Sequence, residues 1–376
     1  MRKDKLISTL MGISIFGIVF GGALKTIPFL GLGSIINLAF LLLITVLAVF
    51  QGKGSINFES KMVFGLLFIC CVYVLYSIFV YSHEEEYLKY LIKFIGMTYA
   101  IIIIAVFAKK EDINSFINFT LVIALILLVF DLSGLKAVGD DVNYLTRPHL
   151  YGAATCVLMV KALNSIKQFF VNSILIILYI YVIIDYGSRG PLLFIGFTFI
   201  LIAILFSKNR VRNTIFLLII SVIVKFNIET ILESNQLLVY RFNRLFYSIE
   251  EEPRFQLYSK TIEYILNNPL GYGFYAHKTL IGEKYVESFP LEMLLNFGII
   301  TFILFLYLLV RLLRYVINHL GDTSKISLFT IFIYLLLSFS RSWSFSDGMV
   351  LFIIYLLIFI KNKKGDNNVL GNNSYS

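Results

Sequence analysis

YLIKFIGMTYAIIIIAVFAKK, residues 90–110, carries a single charge, Lys93, between Tyr90 and Ala108 and then stops on two lysines. A run of about 20 apolar residues matches the thickness of a bilayer's hydrocarbon core. The lysine pair at its end is the usual mark of a cytoplasmic boundary. The same pattern recurs along the chain. Of its 376 residues 59% are hydrophobic and only 15% charged, against about 25% charged in soluble domains. This excludes a disordered chain, a coiled-coil rod and a small disulfide scaffold. The expected fold is all-α and polytopic, with about twelve transmembrane helices. The runs are 6–24, 27–50, 62–81, 90–108, 115–135, 148–163, 168–186, 190–206, 213–232, 289–310, 326–339 and 344–360.

With the N-terminus inside, Arg2, Lys3, Lys5, Lys53, Lys61, Lys109, Lys110, Lys161, Lys167, Lys208, Arg210, Arg212, Arg311, Arg314, Lys325, Lys361, Lys363 and Lys364 all fall on the cytoplasmic side. The short outer loops keep Lys25, Lys136, Arg147, Arg189 and Arg341, and Lys89 and Lys93 lie at the outer start of the fourth run. The positive-inside rule thus assigns both termini to the cytoplasm. Residues 6–24 are longer than a signal-peptide core and lack a small-residue cleavage site, so they read as an uncleaved first span. All six prolines fall on the outer side, and four of them open a span, where a missing N–H costs nothing. The chain reads as one integral membrane domain, 1–360, with a long extracytoplasmic loop at about 227–288 and a disordered cytoplasmic tail at 361–376.

The net charge of +9 does not point to nucleic acid, because the basic residues sit in short loops between apolar runs. Cys70, Cys71 and Cys156 lie inside such runs and read as packing residues. No histidine pair has metal-ligand spacing, so no metal or cofactor is expected. Ionisable residues in a bilayer are costly and therefore informative. Asp131, Asp185, Lys225, Glu292 and Asp347 all fall toward the outer ends of their runs, and no run has an acid near its middle. A proton-driven transporter would place carboxylates at midplane, and a lipid-linked oligosaccharide flippase would line a central cavity with charged or polar residues and keep its loops short.

Asp185-Tyr-Gly-Ser-Arg-Gly-Pro191 joins two runs at the outer mouth. Arg189 beside a helix N-terminus suits a phosphate or pyrophosphate. Equally, it suits an interfacial arginine paired with Asp185. In the long loop, 236–249 carries Arg241 and Arg244 on one face, and 253–268 carries Phe255, Tyr258, Ile262 and Ile265 as an apolar stripe beside Arg254. These read as two amphipathic surface helices. They form either a solvated cover or a basic lid over a lipid-phosphate site. Asn268-Pro-Leu-Gly-Tyr-Gly273 reads as a turn.

Taken in order, Arg147-Pro-His-Leu-Tyr-Gly152, Ser188-Arg189-Gly190, the Arg241/Arg244 segment with 268–273, and Glu287-Ser-Phe-Pro-Leu-Glu-Met-Leu-Leu-Asn-Phe-Gly298 resemble the motifs of the bacterial O-antigen polymerase and O-antigen ligase superfamily. Glu287-Ser288 stands where the family often has His-Asn, and Leu150 where it has Asn. The missing histidine favours a polymerase over a ligase. The resemblance implies a GT-C-like, metal-independent glycosyltransferase on the outer face of the bacterial inner membrane. Polyprenyl-pyrophosphate-linked oligosaccharides are its donor and acceptor, and a chain-length regulator and a flippase are implied partners. The product would be O-antigen, capsule or exopolysaccharide; transfer to a final acceptor is the ligase alternative. The residues expected to hold pyrophosphate are Arg147, Arg189, Arg241, Arg244 and Arg254. Arg189 is expected to act in catalysis, with Glu287 and His277 (and Asp185 after them) as candidate general bases.

Overall fold

The computed structural model describes residues 2–26, 35–51, 54–81, 85–135, 146–164, 166–205, 253–282, 286–319, 321–342 and 345–360. Every described element is a helix: α1 (Arg2–Leu24), α2 (Ile35–Gln51), α3 (Phe58–Tyr81), α4 (Glu85–Phe107), α5 (Lys110–Leu132), α6 (Thr146–Asn164), α7 (Ile166–Asp185), α8 (Arg189–Leu205), α9 (Pro253–Asn267), α10 (Ala276–Ile281), α11 (Phe289–Asn318), α12 (Thr323–Ser342), α13 (Phe345–Gly348) and α14 (Val350–Ile358). Seven of them, α1, α3, α4, α5, α7, α11 and α12, are long and apolar enough to cross a membrane. Three shorter apolar helices cover 36–51, 190–203 and 345–358. The chain is a polytopic, all-helical membrane protein. Each expected run overlaps a described helix except the ninth, 213–232, which is outside the described residues, as are 27–34 of the second run and the tail 361–376.

The α6 helix holds the sixth expected run, 148–163, and is not among the helices apolar enough to cross a membrane. It is surrounded by α1, α5, α7, α8 and α12, and Leu150, Tyr151, Ala153, Ala154, Cys156 and Val157 are fully buried. A helix walled by protein rather than lipid need not be uniformly apolar, so it tolerates Arg147, His149 and Lys161. The α14 helix is the opposite case. It is apolar on every side and every residue from Val350 to Ile358 is buried, as expected of a helix with no solvent-facing stripe. It packs between α12, α4 and α3. Lipid-facing stripes recur at helical spacing on the periphery: Leu38, Leu42, Val46 and Val49 on α2, and Phe68, Val72, Leu75 and Phe79 on α3, are exposed.

Polar contacts gather at two ends of the bundle. At one end Ser8 donates to Asp112 Oδ1 at 2.5 Å, Arg311 pairs with Glu59 at 2.8 Å and Lys110 with Asp322 at 3.4 Å. These are the ends that the charge pattern assigns to the inside. At the other end meet the C-termini of α1, α5 and α7 and the N-termini of α6 and α11, the end that carries the residues singled out above.

The α11 helix departs from the expected tenth run, 289–310. It continues to Asn318 and is broken at Gly298, whose φ of 73° and ψ of 178° lie outside helical space. That conformation is essentially restricted to glycine. The turn at 268–273 fills the break. Tyr272 N donates to Leu295 O (2.9 Å), Gly273 N to Asn296 O (3.0 Å) and Ile299 N to Pro269 O (2.8 Å). Tyr73 of α3 adds a 2.6 Å hydrogen bond to Leu270 O. A Cβ on Gly298 would meet Leu270 O at 2.2 Å, and one on Gly271 would meet Gly298 N at 2.6 Å. The two glycine motifs, separate in the chain, are the two halves of one backbone joint.

Candidate active site

The α7 helix ends on Gly187, with φ of 64°. Ser188 N donates to Ile183 O (3.3 Å) and Gly187 N to Ile184 O (2.7 Å). This left-handed cap satisfies the last carbonyls and turns the chain sharply. Arg189 then opens α8. Ser188 is buried, and its hydroxyl finds no hydrogen-bond partner among the described residues. Arg241 and Arg244 lie outside the described residues.

Arg147, one of the arginines expected at pyrophosphate, is 1% exposed and makes four hydrogen bonds. Its guanidinium pairs with Asp131. It also donates to Thr26 Oγ1 and Thr26 O, each at 2.6 Å, and to Leu135 O at 3.2 Å. Asp131 in turn accepts from Tyr151 and, at 2.9 Å, from Tyr186, and Tyr151 stacks on Tyr179. This knot ties the ends of α1, α5, α6 and α7 together. Tyr186 is its link to the Gly187–Arg189 turn. A buried guanidinium needs its donors filled. These contacts hold Arg147 close to the turn from which α8 starts, with most of its donors already met by protein atoms.

The other described candidates converge around α9, α10 and the first turns of α11. Arg254 Nε donates to Glu287. Glu287 adopts a left-handed φ of 58° and accepts at its carbonyl from Tyr258 at 3.0 Å. Val286 N donates to Glu292 Oε2 at 3.4 Å, and Glu292 Oε1 lies 3.8 Å from His277 Nδ1. Both partners of that last pair are almost fully buried. Tyr90 and Tyr275 wall the imidazole, with ring centroids at 5.7 and 5.5 Å. Tyr275 also has a left-handed φ, 77°. Non-glycine residues held in that region cost about 1–3 kcal/mol and gather at functional sites. Lys278 reaches Glu86 of α4 at 3.3 Å. Asp185 ends α7 apart from this cluster, exposed at the mouth of the Arg189 turn.

The structure thus brings Arg254, Glu287 and His277 into one polar cluster and sets Arg147 in another. The member that sequence reasoning missed is Glu292. Its signal was present, an ionisable residue near the end of an apolar run, but its partner His277 precedes that run and is brought there by the α9–α10 hairpin. The expected apolar stripe of α9 is also corrected. Leu257, Tyr258, Tyr264 and Ile265 pack against Ile281, Val286 and Leu295, whereas Phe255 and Ile262 are exposed together with Leu266. The helix has one apolar face on the protein and a second facing away from it, because a helix at a membrane surface must satisfy both neighbours.

Chemically, the cluster offers a part-exposed cation–carboxylate pair beside a buried carboxylate and imidazole walled by aromatic rings. Such a setting strengthens charge–charge interactions with a substrate. No curated protein matches the chain. Residues 174–306 match the family model described as O-antigen ligase. The match runs from α7 through the Gly187 turn and α9–α10 to the break in α11, and so contains the whole Arg254–Glu287–Glu292–His277 cluster. Over residues 174–306 the chain is similar to the O-antigen ligase family, a likeness that supports the O-antigen polymerase and ligase superfamily and a part in surface-polysaccharide assembly.

Proposed function

We propose that this protein polymerises polyprenyl-pyrophosphate-linked oligosaccharide repeat units on the outer face of the cytoplasmic membrane. The observation that carries the reading is the Arg254–Glu287 pair set beside the buried His277–Glu292 pair, inside the matched stretch. In the proposed reaction the non-reducing-end hydroxyl of one repeat unit attacks the anomeric carbon of the growing chain. A C–O bond forms there, the C–O bond to pyrophosphate breaks, and the hydroxyl proton passes to a base. The leaving group takes the electron pair, so the main demand is stabilisation of developing negative charge. Arg254 and Arg189, with Arg241 and Arg244, are the groups assigned to that charge. Glu287 is the first candidate base and His277 the second. Arg254 fixes the position of the Glu287 carboxylate, and Glu292 faces the His277 imidazole.

The test is the polysaccharide ladder in cells carrying each variant at equal membrane levels. Arg189→Ala and Arg254→Ala are each expected to lower polymer output by about 10²–10³-fold, the usual cost of losing one such charge stabiliser. Bands should collapse to a single lipid-linked repeat unit. Glu287→Gln is expected to lose on the order of 10²–10⁴-fold if it is the base. Normal ladders from both arginine variants would overturn the reading. The family model's description favours one other reading, ligase-type transfer. It predicts a different phenotype: long lipid-linked chains that persist but fail to reach their final acceptor.

The His277–Glu292 pair gives a separate expectation. Glu292→Gln removes the charge that faces the imidazole while keeping the side chain's size. Ladder output should fall by about tenfold or more with unchanged protein level. A variant that polymerises like the parent would assign the pair to packing alone.

A further inference from the structure

A cavity of about 660 Å³ opens between α1, α2 and α4, away from the cluster just described. The α4 helix divides the two. Tyr87, Tyr90 and Phe94 face Phe274, Tyr275 and His277, while Lys89, Lys93, Gly96 and Ala100, at i, i+4, i+7 and i+11, line the cavity. Its composition is graded along the bundle. At the level of the helix ends sit Lys25, Lys89 and Lys93, with Asp347 as the acidic lining residue. Lys93 pairs with Asp347 at 2.7 Å. Burial pushes the Lys25 ammonium below its ordinary pKa, and the neighbouring Lys93 adds to that shift. An anion between them would relieve both. Deeper, the walls turn apolar: Ile18, Leu41, Ala100 and Leu335. From Lys89 to Ala100 the slot runs roughly 16 Å along α4, at 1.5 Å per residue. Leu38 and Ile92, which are 56% and 62% exposed, line it as well, so the slot opens sideways onto the lipid-facing surface. Gly96 keeps it open, since the nearest atom to a Cβ there is Leu41 Cδ2 at 3.9 Å.

We infer that this slot binds a phosphate-bearing membrane lipid, with the phosphate among Lys25, Lys89 and Lys93 and the hydrocarbon tail between α2 and α4. A cationic rim at headgroup depth above an apolar, laterally open cleft fits one molecule with an anionic head and a long tail; a soluble phosphate would leave the apolar depth unfilled. That the lipid is a polyprenyl carrier rests on the proposed function, because joining two repeat units requires two carriers and the arginine cluster accounts for one. The phosphate–lipid chemistry itself does not rest on that reading.

The full chain, purified in detergent, is incubated with synthetic polyprenyl pyrophosphate, and retained lipid is counted by native mass spectrometry. Phosphatidylglycerol and inorganic pyrophosphate serve as competitors. The parent protein is expected to retain the polyprenyl lipid against both. Lys25→Gln/Lys89→Gln, which leaves the Lys93–Asp347 pair intact, should weaken retention by about tenfold or more. Gly96→Leu, which fills the slot from a position with room for its Cβ, should do the same while every lysine remains. Arg254→Ala should cost only the copy of the lipid held at the arginine cluster and leave the slot's copy bound, so failure of the polymerase reading and failure of the slot are read separately. The inference is overturned if both slot variants retain lipid like the parent. It is overturned equally if inorganic pyrophosphate competes as well as the lipid does, whereas displacement by phosphatidylglycerol at equal concentration overturns the assignment to a polyprenyl carrier.

Discussion

Gly298→Ala is expected to be the most damaging single-methyl change in the molecule. The residue holds φ 73° and ψ 178°, a region that only glycine occupies at low cost. The added Cβ would also stand 2.2 Å from Leu270 O and 2.4 Å from Leu270 C. Those are backbone atoms, so no side-chain rotation relieves the contact. Either α11 straightens or the 268–273 turn is expelled, and in both cases the hydrogen bonds of Tyr272, Gly273 and Ile299 are lost. The expected cost is about 4 kcal/mol, in the range reserved for strain combined with broken buried hydrogen bonds. Purified Gly298→Ala should unfold at a clearly lower temperature and be cut by protease within 253–282 before the bundle unfolds. A variant with parental melting and protease resistance would refute the joint. Gly271→Ala should behave similarly, since its Cβ meets the same joint from the other side.

The second large effect is at the Asp131–Arg147 knot. Asp131→Leu leaves a guanidinium with its side chain only 1% exposed and without a counter-ion. Breaking one half of a buried pair costs about 3–5 kcal/mol. The expected result is poor accumulation in the membrane and a lowered melting temperature in detergent. The double variant Asp131→Leu/Arg147→Met removes both charges and should recover most of the lost stability, because a well-packed apolar replacement of a buried pair is often near neutral. The double variant also separates two roles. If Arg147 only positions the Gly187–Arg189 turn, polymer output returns along with stability. If Arg147 touches pyrophosphate, stability returns and output does not. The geometry, in which Thr26, Leu135 and Asp131 fill most of the guanidinium's donors, predicts the first outcome.

These two sites also show how far the chain could be read before its structure. Helix existence was legible, because a bilayer demands about twenty apolar residues and closes each run with basic ones. Partnership was not. Arg147 announces a charge at a helix start, but nothing local says that Asp131, on the preceding helix, will neutralise it. The turn at 268–273 announces flexibility, yet its glycines are required by close approach to Gly298. On α9 the stripe of Phe255, Tyr258, Ile262 and Ile265 was drawn for one apolar environment, and the helix meets two. Lys89 and Lys93 were legible only as charges at a membrane boundary; that they converge with Lys25 depends on how α1, α2 and α4 lean together. Arg254 and Glu287 were both singled out, but their pairing follows from the α9–α10 hairpin folding back on the start of α11.

The position of α14 has a consequence for biogenesis. It is synthesised after the helices that enclose it, yet every one of its residues is buried among α3, α4 and α12. The enclosing helices therefore complete their packing only after this segment has left the ribosome and joined them. Asp347, just ahead of it, arrives in the same step and meets Lys93. A nascent chain stalled before this point would possess its arginines and its α9–α10 hairpin but lack the packing that α14 gives to α3, α4 and α12.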